Sequence, residues 1–211
     1  MARNKRIELL ALLANHSNCL LDVGTDHGLV LFKAFKKGYI KKAIASDLRS
    51  GPLNQAKKNL KGFDVTYILS DGFKSINQPF DTAIIAGMGA HLIKEIMMHA
   101  PRNKKYILQA NDKHHILRAF LNDHGYQITD EFVVFDKFYY VIMVVTDGKM
   151  NLDQTDLYLG PILKNKLEAK PYYENKLKIY QDIMSKADLN TKNKLDKIIK
   201  IFKKALSKDF T

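Results

Sequence analysis

The segment Leu20-Leu21-Asp22-Val23-Gly24-Thr25-Asp26-His27-Gly28 most constrains what this chain can fold into. A short apolar run that stops in an acid and turns through glycines reads as a buried strand, a tight turn and a helix start. Glycine at such a turn admits left-handed backbone angles and lets the main chain approach a ligand closely. In an open α/β sheet, the first strand-to-helix turn stands at the mouth of the ligand crevice.

The same grammar repeats. A helix is predicted over Arg3–Leu13, then strands at Cys19–Val23, Lys42–Asp47, Val65–Leu69, Thr82–Ala86 and Tyr106–Ala110. Helical patterns follow at Leu29–Lys37, from Pro52 to about Leu60, up to about Met98, and from His114 to about His124. Gln127–Phe135 and Phe138–Thr146 have no helix between them and form an antiparallel pair about Asp136-Lys137. Five strand–helix units and a hairpin imply a doubly wound, mostly parallel sheet with an antiparallel end. A boundary near Gly148-Lys149-Met150 divides the chain into residues 1–150 and 151–211. Beyond it glycine nearly vanishes. Apolar residues recur at helical spacing from Ile162 to Met184 and again from Leu195 to Leu206. Two long helices joined by a short turn, a coiled-coil-like αα-hairpin, are expected there, with Asp188 or Asn190 capping the second.

The formal net charge is +12, from 34 basic against 22 acidic residues, spread over both parts. That balance suits a polyanionic partner, nucleic acid above all, although lysine-rich coding gives the same count. No apolar run approaches the roughly 18–20 residues that span a bilayer. The apolar stretch after the basic N-terminus is short and broken by Glu8. The single cysteine, Cys19, cannot form an internal disulfide and reads as a small core residue. A cytoplasmic protein without a metal centre is expected.

Strand ends of an open α/β sheet converge on one crevice. Here they carry Asp22, Asp47, Asp71, Gly87-Met88-Gly89 and Gln109-Ala110-Asn111. Polar groups at the ends of core strands point to a ligand. A dinucleotide would place its pyrophosphate at the first turn, where Asp26 repels it. A cofactor with sulfonium and ammonium groups, S-adenosylmethionine, is instead attracted. Asp47 follows Asp22 by 25 residues, near the roughly 20-residue spacing of an acid that binds ribose hydroxyls. Asp71 is placed to accept from an adenine amino group. His27 is a polar loop residue or a substrate contact.

Together with Asp71-Gly72, Ile85-Ala86-Gly87-Met88-Gly89, Gln109-Ala110-Asn111 and Leu159-Gly160-Pro161, the opening loop resembles the bacterial TrmK family over nearly the whole chain. The resemblance implies an S-adenosylmethionine-dependent tRNA (adenine-22-N1)-methyltransferase, with a Rossmann-like class I methyltransferase domain and a C-terminal coiled-coil hairpin. Ala90 and Ala110 stand where the family usually has glycine and proline. The cofactor-binding candidates are Asp22, Gly24, Thr25, His27, Gly28, Asp47, Leu48, Asp71, Gly72, Ala86, Gly87 and Met88. Asp26 is the candidate for positioning or electrostatic help at the reacting centre. Gly89 and Asn111, with Gly87 and Met88, are expected to floor the target-base pocket. Tyr139, Tyr140 and Phe73 are candidates to stack on the base. Arg3, Lys5, Arg6 and Arg49 are candidates for phosphate contacts.

Two other readings stay open at this level: a class I methyltransferase acting on a protein or small molecule, and an RNA-binding protein with a vestigial pocket. The hairpin can grip tRNA or mediate self-association; a monomer is the expectation.

Overall fold

The computed structural model describes residues 4–207. Arg3 therefore lies outside the described residues. The elements follow in the order α1 (Lys5–Leu13), β1 (Leu20–Val23), α2 (Leu29–Lys36), β2 (Ala43–Asp47), α3 (Ser50–Asn59), β3 (Val65–Leu69), β4 (Thr82–Met88), α4 (Ala90–Met97), β5 (Lys105–Ala110), α5 (His114–Asp123), β6 (Tyr126–Asp136), β7 (Phe138–Asp147), α6 (Gln154–Leu159), α7 (Lys170–Lys186) and α8 (Leu189–Leu206). The seven strands lie in the order β3-β2-β1-β4-β5-β7-β6. All neighbours are parallel except β7, which runs antiparallel to both β5 and β6.

Alternation along the strands feeds two apolar layers. Leu20, Ile84 and Ile107 face α1, α2 and α3. Leu21, Ile85, Tyr106 and Leu108 face the other way, in one cluster with Ile93 of α4, Leu117 of α5, Leu159, Leu163, Tyr172, Tyr173 and Phe202. The C-terminal helices thus share the core of the sheet. Helix faces cover both sides, so β1 is buried at every residue, Asp22 included. Strand order reverses between β1 and β4, and this switch point opens the crevice at their carboxyl ends.

Three expectations are corrected. The β3–β4 connection holds no helix, so there are fewer than five strand–helix units. Gly72 takes a left-handed φ of 56°, Ser70 Oγ donates to Gly72 O and accepts from Ser75 N–H, and the turn closes on itself. Its Phe73 and Phe80 enter the core and stack with centroids 6.1 Å apart. Phe73 is therefore core, not a base-stacking residue. Second, β4 continues past Ala86 to Met88, with a register shift against β5 at left-handed Gly87. Third, the apolar run from Ile162 to Leu167 forms two 3-10 turns rather than a long helix. Pro171 is tolerated only in a first helical turn, and α7 starts beside it. Before these turns, Asp153 and Asp156 form a capping box on the short α6. Asp188 caps α8, accepting from Thr191 N–H at 3.0 Å.

The C-terminal segment is tied down by a buried ion pair. Arg118 Nε donates to Glu131 Oε1 at 2.9 Å, and both side chains are fully buried. Arg118 Nη1 donates to Leu157 O at 2.8 Å. Glu131 Oε2 accepts from the N–H groups of Ile162 and Leu163 at 3.0 Å each. A Cβ at Gly160 would collide with this carboxylate. That close approach is what Leu159-Gly160-Pro161 encodes.

Candidate active site

A crevice of about 510 Å³ opens at the switch point, within the size range of cofactor sites. Eleven of the twelve cofactor-side candidates line it, from Asp22 to Met88, and so does Asp26; Gly28 does not, because it faces Leu60 and Ala56. Gly24 and Thr25 both donate their N–H to Ser46 O at 2.9 Å, which pins the first turn across β2. A Cβ on Gly24 would collide with Met88 Cε. Gly28 has φ of 68°, and a Cβ there would come within 2.8 Å of Leu60 Cδ1. The first glycine keeps the cradle open; the second lets α2 settle against the end of α3.

Three carboxylates gather around this turn. Asp22 accepts from Thr25 Oγ1 at 2.7 Å. Burial pushes its carboxyl up to about 6, the Thr25 hydrogen bond opposes this, and the negative charges of Asp47 and Asp26 add to it. Asp47 Oδ2 accepts from Asp26 N–H at 3.2 Å, and its Oδ1 from Arg49 N–H at 3.0 Å. Asp47 thus braces the loop that presents Asp26, a role the sequence did not reveal. Asp26 holds a left-handed φ of 49° with its side chain exposed. The exposed His27 ring lies 3.7 Å from its carboxylate. Among the described residues, no lysine or arginine pairs with Asp22, Asp26 or Asp47. Asp71, exposed at the far wall, pairs with Lys74 at 2.5 Å. An opening of this sign fits a cationic ligand and disfavours a pyrophosphate. Leu48, Leu29 and Leu92 expose apolar side chains on its lips. The last two escaped the sequence reading, because a lone surface leucine carries no signal.

On the opposite wall the structure assembles a network through Gln109, which is fully buried. Its Oε1 accepts from Gly87 N–H at 3.2 Å and from Arg6 Nη1 at 2.9 Å. Its Nε2 donates to Asn111 Oδ1 at 3.1 Å, while Asn111 Nδ2 donates to Gly87 O at 2.8 Å. The Arg6 guanidinium also lies 5.0 Å from the centroid of the Tyr140 ring. Arg6 is therefore a wall residue engaged by Gln109 and Tyr140. Among the described substrate-side and phosphate-contact candidates, Arg6 and Arg49 line the crevice and Gly89, Asn111 and Tyr140 do not. Lys5 is exposed on α1. Tyr139 points to the other face of the sheet, 5.8 Å from Tyr172. Gln109, quoted as a strand end but not singled out as a site residue, is the hub.

The comparisons with known proteins agree with this geometry. The chain is 30% identical over 188 residues to a Mycoplasma pneumoniae candidate tRNA methyltransferase, covering 82% of this chain and 88% of that one. It is 26% identical over 208 residues to the Bacillus subtilis tRNA (adenine(22)-N(1))-methyltransferase, covering 88% and 87%. A Streptococcus pneumoniae structure, described as a candidate tRNA (m1A22) methyltransferase in complex with S-adenosyl-L-methionine, superposes with a TM-score of 0.85. It has 29% identity and covers 96% of this chain and 98% of that one. The family model for tRNA (adenine(22)-N(1))-methyltransferase matches residues 20–208, and the chain belongs to this family, TrmK, whose cofactor is S-adenosylmethionine.

Proposed function

We propose that this crevice holds S-adenosylmethionine beside an extruded adenine and carries the family's reaction, methylation of N1 of adenine 22 in tRNA. The observation that supports this most is the set of three carboxylates around a glycine turn, with no basic side chain paired to them. The bound cofactor supplies an electrophilic methyl group on a sulfonium. Asp22, with Gly24 and Thr25, offers charge and open backbone to its cationic end. Asp47 takes the ribose hydroxyls while holding the loop. Asp71 and Gly72 meet the edge of the cofactor's adenine, and Leu48 a face. Ala86, Gly87 and Met88 close the floor, and His27 contacts the cofactor from the loop.

The N1 lone pair of the target adenine accepts the methyl group directly. No proton leaves N1 first, so no strong base is needed, and the product ring is cationic. Asp26 stands on the exposed side of the loop, with no cation neutralising it. Its role in this reading is to stabilise the developing charge and align the base. Asn111, locked through Gln109, shapes the far side together with Gly89, with Arg6 and Tyr140 at the rim. Arg3 is assigned a phosphate contact in this reading. N1 lies on the Watson–Crick edge, so the adenine must be unpaired or flipped out. The lysine-rich α8 grips the body of the RNA. Residues 1–150 and 151–211 divide the labour between chemistry and grip, in a cytoplasmic monomer whose α7 and α8 pair within one chain.

Labelled S-adenosylmethionine and unmodified tRNA, followed by nucleoside analysis, test this. The expected product is 1-methyladenosine at position 22. Its absence with folded protein and several tRNAs would overturn the reading.

A further inference from the structure

We infer that the tip of the β6–β7 hairpin is a base-stacking finger, on which Phe138 receives an unpaired nucleobase flanking the target adenine. The inference rests on the tRNA reading above and deepens it by assigning a contact outside the crevice. Strand β7 pairs with β5 up to Leu108↔Met143. Continuing that register sets Ala110, the last residue of β5, opposite Val141. Phe138, Tyr139 and Tyr140 therefore overhang the carboxyl edge of the sheet, on the crevice side.

Side chains on this overhang divide by face. The pairs Val134↔Tyr140 and Asp136↔Phe138 put Phe138, Asp136 and Tyr140 on one face of the hairpin. Arg6 sits on that face. Its backbone N–H donates to Asp136 at 3.5 Å, its guanidinium lies over Tyr140, and its Nη1 reaches Gln109. Gln109 in turn holds Gly87 in the crevice wall. A continuous stripe runs outward from the crevice through Gln109, Arg6 and Tyr140 to Phe138.

Phe138 ends this stripe with 70% of its surface exposed. On the other face, Phe135 leans on Tyr139 with ring centroids 4.9 Å apart; among the described residues Phe138 has no such ring partner. A lone exposed apolar side chain is ordinary; this ring is set apart by its place at the end of a stripe that begins in the crevice wall. The chemistry identifies the occupant. The chain carries a net charge of +12, and Lys137 precedes the ring at the hairpin turn. Turning an adenine out of its pair leaves a neighbouring base unstacked. Aromatic side chains beside cations recognise such bases irrespective of sequence.

The test compares Phe138→Ala, Phe138→Leu and Phe138→Trp with the wild type. Because the ring is exposed, these variants are expected to fold alike and to bind S-adenosylmethionine alike. Phe138→Ala should raise KM for tRNA about tenfold, within the range for losing one base–aromatic stack, with kcat falling much less. Phe138→Trp should restore KM, and Phe138→Leu should not. Equal KM in wild type and Phe138→Ala, or full rescue by leucine, would overturn the stacking role. So would a wild-type dimer that Phe138→Ala converts to a monomer, which would make the tip a self-association surface. Wild-type protein that makes no 1-methyladenosine would defeat the tRNA reading instead. The stack would then still be decided by tRNA binding measured directly for the same variants.

Discussion

Two clusters of charge sit near the same sheet and are treated in opposite ways. Around Arg118 and Glu131 every charge is answered: a fully buried ion pair, with its remaining capacity spent on Leu157 O and on two N–H groups of the C-terminal segment. One guanidinium nitrogen, Nη2, lies 2.8 Å from Glu131 Oε1 yet off the line of a hydrogen bond. Around Asp22, Asp26 and Asp47 the charges are of one sign, lean only on backbone and hydroxyl donors, and face an opening. Burying an ion pair is tolerable only when both partners stay. Leaving carboxylates unneutralised at a crevice lowers stability, and a cationic ligand offsets that. In the proposed function the first cluster builds the molecule and the second binds the cofactor, so mutations in them should separate stability from catalysis.

The largest effect expected is on folding. Arg118→Ala leaves Glu131 buried and unpaired, and should destabilise the protein by about 3–5 kcal/mol, seen as a fall in Tm of roughly 10 °C. A shift of a degree or two would mean that the pair is not what fastens the C-terminal segment. Next comes chemistry. Asp26→Asn keeps a side chain that tolerates left-handed φ, so the loop should survive. Turnover should drop about 10²-fold, as when one preorganised electrostatic group is lost, while tRNA affinity and Tm hold. A weaker tRNA complex with unchanged single-turnover rate would move Asp26 from the reacting centre to binding. Asp47→Asn should act on the cofactor, raising the Kd for S-adenosylmethionine about tenfold, the cost of one charge-assisted hydrogen bond. Titration calorimetry decides that one. Smallest of all, Lys74→Ala removes an exposed bridge to Asp71. It should change stability by less than about 0.5 kcal/mol, and a larger loss would show that exposed charges in this wall are structural too.

Much of this was readable from the chain. Each strand-ending acid named its own place in the crevice, because a carboxylate at the end of an apolar run has few other reasons to be there. The hairpin at β6 and β7 followed from two alternating runs with no helix between them. What escaped was whatever depends on distant residues meeting. Nothing near Gln109 announces that it will join Arg6, 103 positions away. Arg6 itself reads as one more surface cation until Tyr140 and Gln109 are seen to engage it. Gly160 looks like an ordinary helix stop, and only the Glu131 carboxylate pressed against it explains the residue. The β3–β4 segment failed differently, since its turn is held by Ser70 and filled by two phenylalanines rather than by a helix.

The central claim is that the crevice carboxylates recognise a cation, and Asp22 allows it to be tested alone. Its carboxyl is raised to about 6 from an unfolded value of 3.8, chiefly by burial. In the free protein its contribution to stability is therefore full below pH 3.8 and is lost as pH rises through about 6. A bound cation reverses the preference and favours the ionised form, so binding near pH 6 must release a proton. The decisive measurement is the Kd for S-adenosylmethionine between pH 5 and 7.5, in wild type and Asp22→Asn. Affinity should fall about tenfold from pH 7 to pH 5 in the wild type, following one titrating group, and stay flat in the variant. A flat profile in the wild type would contradict the claim.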